Sequence, residues 1–212
     1  DAAAEIFDRY VNWSEQAPIE LTSAFNITAF PPLDLVPEPL RGNTFVIVRG
    51  CYAGAPGDET GRQLINEWRT WREPLMDTWA TVPFARQAEI SMDPVDPVPA
   101  ASSGRWLTGL DNTVLQAMLD AVVGGGAPSP MLFAETRHGG GATHRENPAA
   151  SFGVRDGQRM LELVGMITAP GTDAELERRF QNTWQRISAN LTPLPGYLNF
   201  AEGHEKVQIS HQ

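Results

Sequence analysis

Glu162 is the residue of this sequence whose type and position best fit proton transfer. It lies in the middle of the apolar run MLELVGM, where the period-two alternation of a strand places it on the same face as Met160 and Val164. Burial among apolar side chains disfavours a carboxylate and raises its pKa, which would make Glu162 a proton acceptor near neutral pH. The alternation equally allows Leu161 and Leu163 to face the core, with Glu162 on a solvated face.

A histidine and glycine cluster offers a second kind of chemistry. His138-Gly139-Gly140-Gly141 is similar to the oxyanion loop of an esterase, whose glycine N–H groups stabilise a developing negative charge. The sequence has no G-x-S-x-G nucleophile motif, and these glycines match neither G-x-G-x-x-G nor the phosphate-binding P-loop. His138 and His144 have no identifiable third ligand, so we expect polar loop histidines and no metal site.

Charge and composition exclude several classes of partner. The 212-residue chain has a formal net charge of -10, whereas nucleic-acid binding depends on clustered Lys and Arg. Its single cysteine, Cys51, excludes an internal disulfide, and the surrounding apolar run predicts a buried side chain. The sequence contains neither a run of about 20 apolar residues nor a signal peptide at Asp1, so we expect a cytoplasmic protein without nucleic-acid or membrane partners.

Hydrophobic periodicity predicts helices and strands that are interspersed along the chain. The predicted helices cover residues 6–13, 64–71, 112–122 and 172–187, and the predicted strands cover 21–27, 44–48, 131–136, 160–167 and 197–200. The strand at 44–48 has the continuous β-branched character of a strand covered on both faces. Thr172 and Glu175 match a capping box, and Asp111 or Asn112 would begin the preceding helix.

The order of these elements predicts the fold class. It lacks the strict strand-helix-strand alternation of a doubly wound sheet, and proline-rich connectors separate the elements. We therefore predict an α+β fold over residues 1–212, with a mainly antiparallel sheet flanked by helices.

The order of short motifs along the chain resembles a known family. The motifs are APIELT at 17–22, LRG at 40–42, YAG at 52–54, DP at 93–94, ETRHGG at 135–140, SFGVR at 151–155 and GYLNF at 196–200. Together they resemble the substrate-binding half of FAD-linked oxidases of the berberine bridge enzyme type, along nearly the whole chain. The resemblance implies an antiparallel sheet that lies over the flavin of an N-terminal FAD-binding domain.

The resemblance also implies roles for residues of the last motif. Tyr197 and Asn199 match family residues near the flavin, in a Tyr-x-Asn-Tyr motif whose final tyrosine acts as the base in many members. Here Phe200 occupies that final position, and we expect it at the substrate together with His138. Because Phe200 cannot take a proton, either Glu162 is the base, or the reaction needs no strong base, or this member has lost activity.

Glu162 matches a strand position that carries a catalytic glutamate in some members of the family. A slip of one residue in the alignment would place Leu161 there instead and turn Glu162 to the other face. With Glu162 as the base, the resemblance implies a two-electron oxidation in which hydride passes from a small organic substrate to the flavin.

The resemblance further implies that the chain is a nearly complete substrate-binding domain without its FAD-binding domain. The missing N-terminal domain would hold most of the FAD, so we expect the chain alone to be inactive. The competing hypothesis is a non-catalytic α+β module that binds a small molecule or associates with copies of itself through a sheet edge.

Overall fold

An antiparallel sheet is the frame of the molecule. The computed structural model describes residues 2–34, 36–55, 57–91, 96–124, 129–139, 149, 157–194 and 196–200. In those ranges the strands are β1 (Leu21–Ala29), β2 (Thr44–Tyr52), β3 (Ala100–Leu107), β4 (Met131–His138) and β5 (Arg159–Met166). They form one sheet in the order β2-β1-β4-β5-β3, and each neighbouring pair is antiparallel. The predicted α+β class is confirmed.

The helices pack against one face of this sheet. They are α1 (Ala2–Glu15), α2 (Thr60–Trp71), α3 (Asn112–Val123) and α4 (Thr172–Arg186). Their apolar stripes meet every second residue of the central strands, as the buried Phe25 of β1 and the buried Leu161 and Leu163 of β5 illustrate. The main core therefore lies between the helices and one sheet face, which leaves the other face for residues such as Glu162.

Two helix starts show how the local sequence sets the boundaries. Asp111 is the N-cap of α3, and its side chain accepts a hydrogen bond from the Val114 N–H, which confirms the predicted cap. The capping box predicted at Thr172 and Glu175 is wrong. Gly171 is the N-cap of α4, with a φ of 88° that suits glycine, and Glu175 instead accepts from the Arg179 side chain one turn later.

The sheet edge at β2 corrects two predictions. β2 pairs with β1 alone among the described strands, and the strand predicted to be covered on both faces has partly exposed side chains at 45–50. Cys51, predicted to be buried, is exposed. An apolar β-branched run is typical of a central strand, but here it forms an outer strand, whose side chains have fewer neighbours to cover them.

The strand predicted at 197–200 is also wrong. Leu198–Phe200 is a short 3₁₀ turn, in which the Phe200 N–H donates to the Tyr197 carbonyl at 2.9 Å. Leu191, not residues 197–200, pairs with the end of β3, as an isolated antiparallel bridge to Leu107, and the Thr192 N–H donates to the Trp106 carbonyl at 3.0 Å. Sequence patterning missed β3 itself, because AASSGRWL is poor in β-branched residues.

Some sequence predictions lie outside the described residues. These are the glycines at 140 and 141, His144, the motif at 151–155 and the DP motif at 93–94. Among the described residues, no helix has the length and apolarity that a membrane span requires.

Replacing Leu161 tests the one-sided core. Leu161 is 0% exposed, so Leu161→Ala should lower the free energy of unfolding by about 2 to 5 kcal/mol, as cavities in packed cores do. Leu75 is 78% exposed, and Leu75→Ala should change it by less than about 0.5 kcal/mol. Urea unfolding followed by circular dichroism measures both, and equal losses would contradict the assignment of the core.

Candidate functional site

The sheet face opposite the helices carries a row of polar residues. Strand register aligns Asn26 of β1, Glu135 of β4, Glu162 of β5 and Gly104 of β3 directly across the sheet. Side chains that are directly opposite in an antiparallel sheet share a face. We call this surface the charged face, and it consists of that row together with Arg137 of β4 and Arg49 of β2.

Glu135 is at the centre of the charged face. Its carboxylate is 0% exposed and lies 2.6 Å from Arg49 Nη2 and 2.9 Å from Arg137 Nε. Asn26 Nδ2 donates to the same carboxylate at 2.9 Å, and the Thr28 hydroxyl donates to the Asn26 amide oxygen. Thr28 thereby turns the amide N–H groups of Asn26 towards Glu135. The Asn26 amide and the two guanidiniums offset the cost of burying this carboxyl group.

Glu162 has a less polar environment than Glu135. It is 5% exposed, and Arg137 Nη2 donates to its Oε2 at 2.8 Å. Burial raises the pKa of Glu162 to about 7, and the negative charge of Glu135 adds to this rise, while Arg137 and Arg49 oppose it. Near neutral pH, Glu162 can therefore both accept and release a proton.

An aromatic side chain lies beside the guanidinium that links the two glutamates. The Arg137 guanidinium is 4.7 Å from the centre of the Phe200 ring, and Phe200 contacts Tyr197 edge to face at 5.0 Å. Gly104 makes room for this ring, because a Cβ there would lie 2.8 Å from Phe200 Cβ. The 3₁₀ turn thus covers the β3 end of the charged face.

The structure brings together most of the site residues predicted from the sequence. Glu162 lies on the charged face, and Phe200 contacts the Arg137 guanidinium that binds Glu162. Asn199 Nδ2 donates to the Tyr197 hydroxyl at 3.2 Å. His138 is directly opposite Arg159, on the helix-covered face. Its predicted role at the substrate stays a prediction, and the geometry does not bring it to Glu162.

Sequence reasoning did not single out the residues that surround Glu162. Glu135 and Arg137 were noted only as part of the ETRHGG motif, and Arg49 lies within the apolar run around Cys51. The signal was the spacing of two between Glu135 and Arg137, which places both on one face of a strand. Their pairing with Glu162 depends on strand register, which the sequence does not reveal.

The charged face is better suited to an organic substrate and the ring end of a cofactor than to a phosphate group. Both guanidiniums, of Arg49 and Arg137, already bind carboxylates. A carboxyl group with a pKa of about 7 and an aromatic ring suit proton transfer and packing against an uncharged molecule. No group of three His, Cys, Asp or Glu side chains in the described part of the chain could hold a metal ion.

The fold and the charged face together define a class: an antiparallel α+β unit with helices on one face and a buried carboxyl site on the other. BBE-like 1 of Physcomitrella patens has this fold, with a TM-score of 0.63 at 13% identity over 96% of this chain and 44% of that chain. A variant of berberine bridge enzyme in complex with (S)-reticuline gives 0.69 at 11% identity, over 94% and 41% of the two chains. Aclacinomycin oxidoreductase gives 0.63 at 13% identity, over 93% and 42%.

These comparisons confirm, at the level of the fold, the resemblance to oxidases of the berberine bridge enzyme type. The chain spans less than half the length of each of these solved proteins. No family model and no curated protein matches the sequence itself. The likeness therefore lies in the backbone arrangement.

The pKa of Glu162 predicts a pH dependence of stability. Between the ordinary pKa of 4.5 and about 7, the unfolded chain has released this proton and the folded chain retains it. Stability from Glu162 is thus fully present below pH 4.5 and is lost as the pH rises through 7, by about 3 kcal/mol in total.

Glu162→Gln removes this titration. Urea unfolding from about pH 4 to about pH 8 covers both pKa values. It should show that the wild type loses stability relative to the variant as the pH rises. A constant difference between the two proteins would contradict the shifted pKa.

Proposed function

We propose that this chain is the substrate-binding part of an FAD-dependent oxidoreductase that transfers hydride from a small organic substrate to the flavin. The observation that carries the proposal is the buried Glu162 carboxyl group beside Arg137, on the one sheet face that the helices leave uncovered. The shared fold with berberine bridge enzyme and aclacinomycin oxidoreductase supports it. The substrate class is a sugar or a natural product.

The charged face would supply the proton transfer of this reaction. Glu162 accepts the proton of a substrate hydroxyl through a carboxylate oxygen, as the neighbouring C–H bond loses its hydride and the C–O bond becomes a carbonyl. Arg137 holds the Glu162 carboxylate through Oε2. The Phe200 ring packs against the apolar part of the substrate. A flavin bound over this face supplies the hydride acceptor.

The division of FAD between this chain and a second domain follows from the charges. The two guanidiniums of the charged face bind Glu135 and Glu162, so the cofactor diphosphate would bind mainly to the N-terminal domain. Tyr197 and Asn199 would lie at the flavin ring. The partners of the chain are then the FAD-binding domain and the substrate.

Replacement of Glu162 tests the base role in the full-length protein from its source. Glu162→Gln keeps the size of the side chain but removes the proton acceptor, so anaerobic flavin reduction by substrate should slow by roughly 10²-fold or more. Glu175→Gln is the matched control, because Glu175 also binds an arginine but lies on α4, on the other side of the sheet. An unchanged rate in Glu162→Gln would refute the assignment.

One observation favours a second candidate function. Phe200 occupies the position of the family tyrosine that acts as base, which suits a non-catalytic α+β module that binds a small molecule or its own copies. Acid precipitation of the full-length protein distinguishes the two functions. We expect flavin absorbance in the pellet or the supernatant, and its absence from both would support the non-catalytic module.

A further inference from the structure

The two glutamates at the centre of the charged face differ in what neutralises them. Glu135 accepts a hydrogen bond from Asn26 Nδ2 at 2.9 Å, and its carboxylate forms ion pairs with Arg49 at 2.6 Å and Arg137 at 2.9 Å. Glu162 accepts from the Arg137 Nη2 group, whose Nε lies 2.9 Å from Glu135. One guanidinium is therefore divided between two buried carboxyl groups, and Glu135 holds a second cation as well.

In the described part of the chain, the other elements around Glu162 add no further charge to this face. β3 presents Gly104 opposite Glu162, and the 3₁₀ turn presents Phe200 above Gly104. Arg105 is the next residue of β3, and its guanidinium lies over the Trp184 ring on the helix-covered side, 5.5 Å from the ring centre. Arg159 of β5 is also on the helix-covered face, near Tyr10 of α1.

The charge balance of the cluster then depends on Glu135. Arg49 and Arg137 together carry two positive charges, and Glu135 cancels one of them. If Glu135 were neutral, Glu162 would be the remaining anion beside both cations of the cluster. Opposite charges within about 4 to 6 Å favour ionisation of a carboxyl group by one to three pKa units.

We infer that Glu135 is a positioning residue: it holds the Arg137 guanidinium between the two carboxyl groups, so that Glu162 receives part of one positive charge and stays able to accept a proton. Glu135 acts through Arg137 and does not itself touch the substrate. The inference deepens the proposed function, because it rests on Glu162 as the base and names the residue that sets its basicity.

The titration of Glu162 in the folded chain tests this inference without flavin or substrate. Glutamate labelled with ¹³C at the carboxyl carbon is followed by NMR, and the Glu162 signal is assigned by its loss in Glu162→Gln. In the wild type we expect a midpoint of about 7. Glu135→Gln should lower this midpoint by about one unit or more, because both guanidiniums then act on Glu162.

Arg49→Gln gives the opposite expectation. Arg49 binds Glu135 rather than Glu162, so its loss leaves Glu135 to draw Arg137 away, and the Glu162 midpoint should rise. The double variant Glu135→Gln, Arg49→Gln restores the charge balance and should return the midpoint towards that of the wild type. Glu175→Gln, an ion-paired glutamate on α4, should leave it unchanged.

Each outcome decides the inference. Midpoint shifts of opposite sign in Glu135→Gln and Arg49→Gln support it, and a midpoint that moves in neither variant overturns it, as does a wild-type midpoint near 4.5. If Glu135→Gln does not fold, Arg49→Gln alone decides, since Arg49 is a partly exposed residue of the outer strand β2. Shifted midpoints together with an unchanged flavin reduction rate in Glu162→Gln would refute the proposed function but not this inference.

Discussion

The position of Arg137 between two carboxyl groups is the interaction on which the charged face depends. Antiparallel register places Glu135 and Glu162 directly opposite each other on β4 and β5, where two buried anions would repel. The Arg137 side chain, two residues along β4 from Glu135, reaches both groups. A shift of register by one residue would turn one glutamate into the helix-covered core, so the pairing of β4 with β5 fixes the site.

The helix-covered face makes that register costly to change. Leu161 and Leu163 flank Glu162 in the sequence and are 0% exposed beneath the helices. They bind β5 to the core, and Glu162 must then point to the other side. The two alternatives left open by sequence alternation are thus both partly true. The leucines form the core, and yet the opposite face buries Glu162 as well, under the side chains and the turn that cover it.

Much of the fold could be predicted from the sequence, and much of the site could not. Periodicity and caps depend on neighbouring residues, so the helices and most strands were predicted within a few residues. β3 and the turn at 197–200 were not predicted, because their structure depends on contacts with residues that are distant in the sequence. The same limit applies to Glu135 and Arg49, which meet only through pairing of strands that are far apart in sequence.

The energetic cost of the charged face bears on whether it is a structural or a catalytic feature. An apolar residue at 162 would fill the same strand position without the desolvation of a carboxyl group, and such replacements of buried ionic groups are often neutral or stabilising. A structural module would not need a glutamate that shares its cation at this position. A carboxyl group with a pKa of about 7 is useful for moving protons at physiological pH, and groups with strongly shifted pKa values are concentrated at functional sites. The shared Arg137 therefore favours the proposed proton transfer over a role in the stability of the sheet.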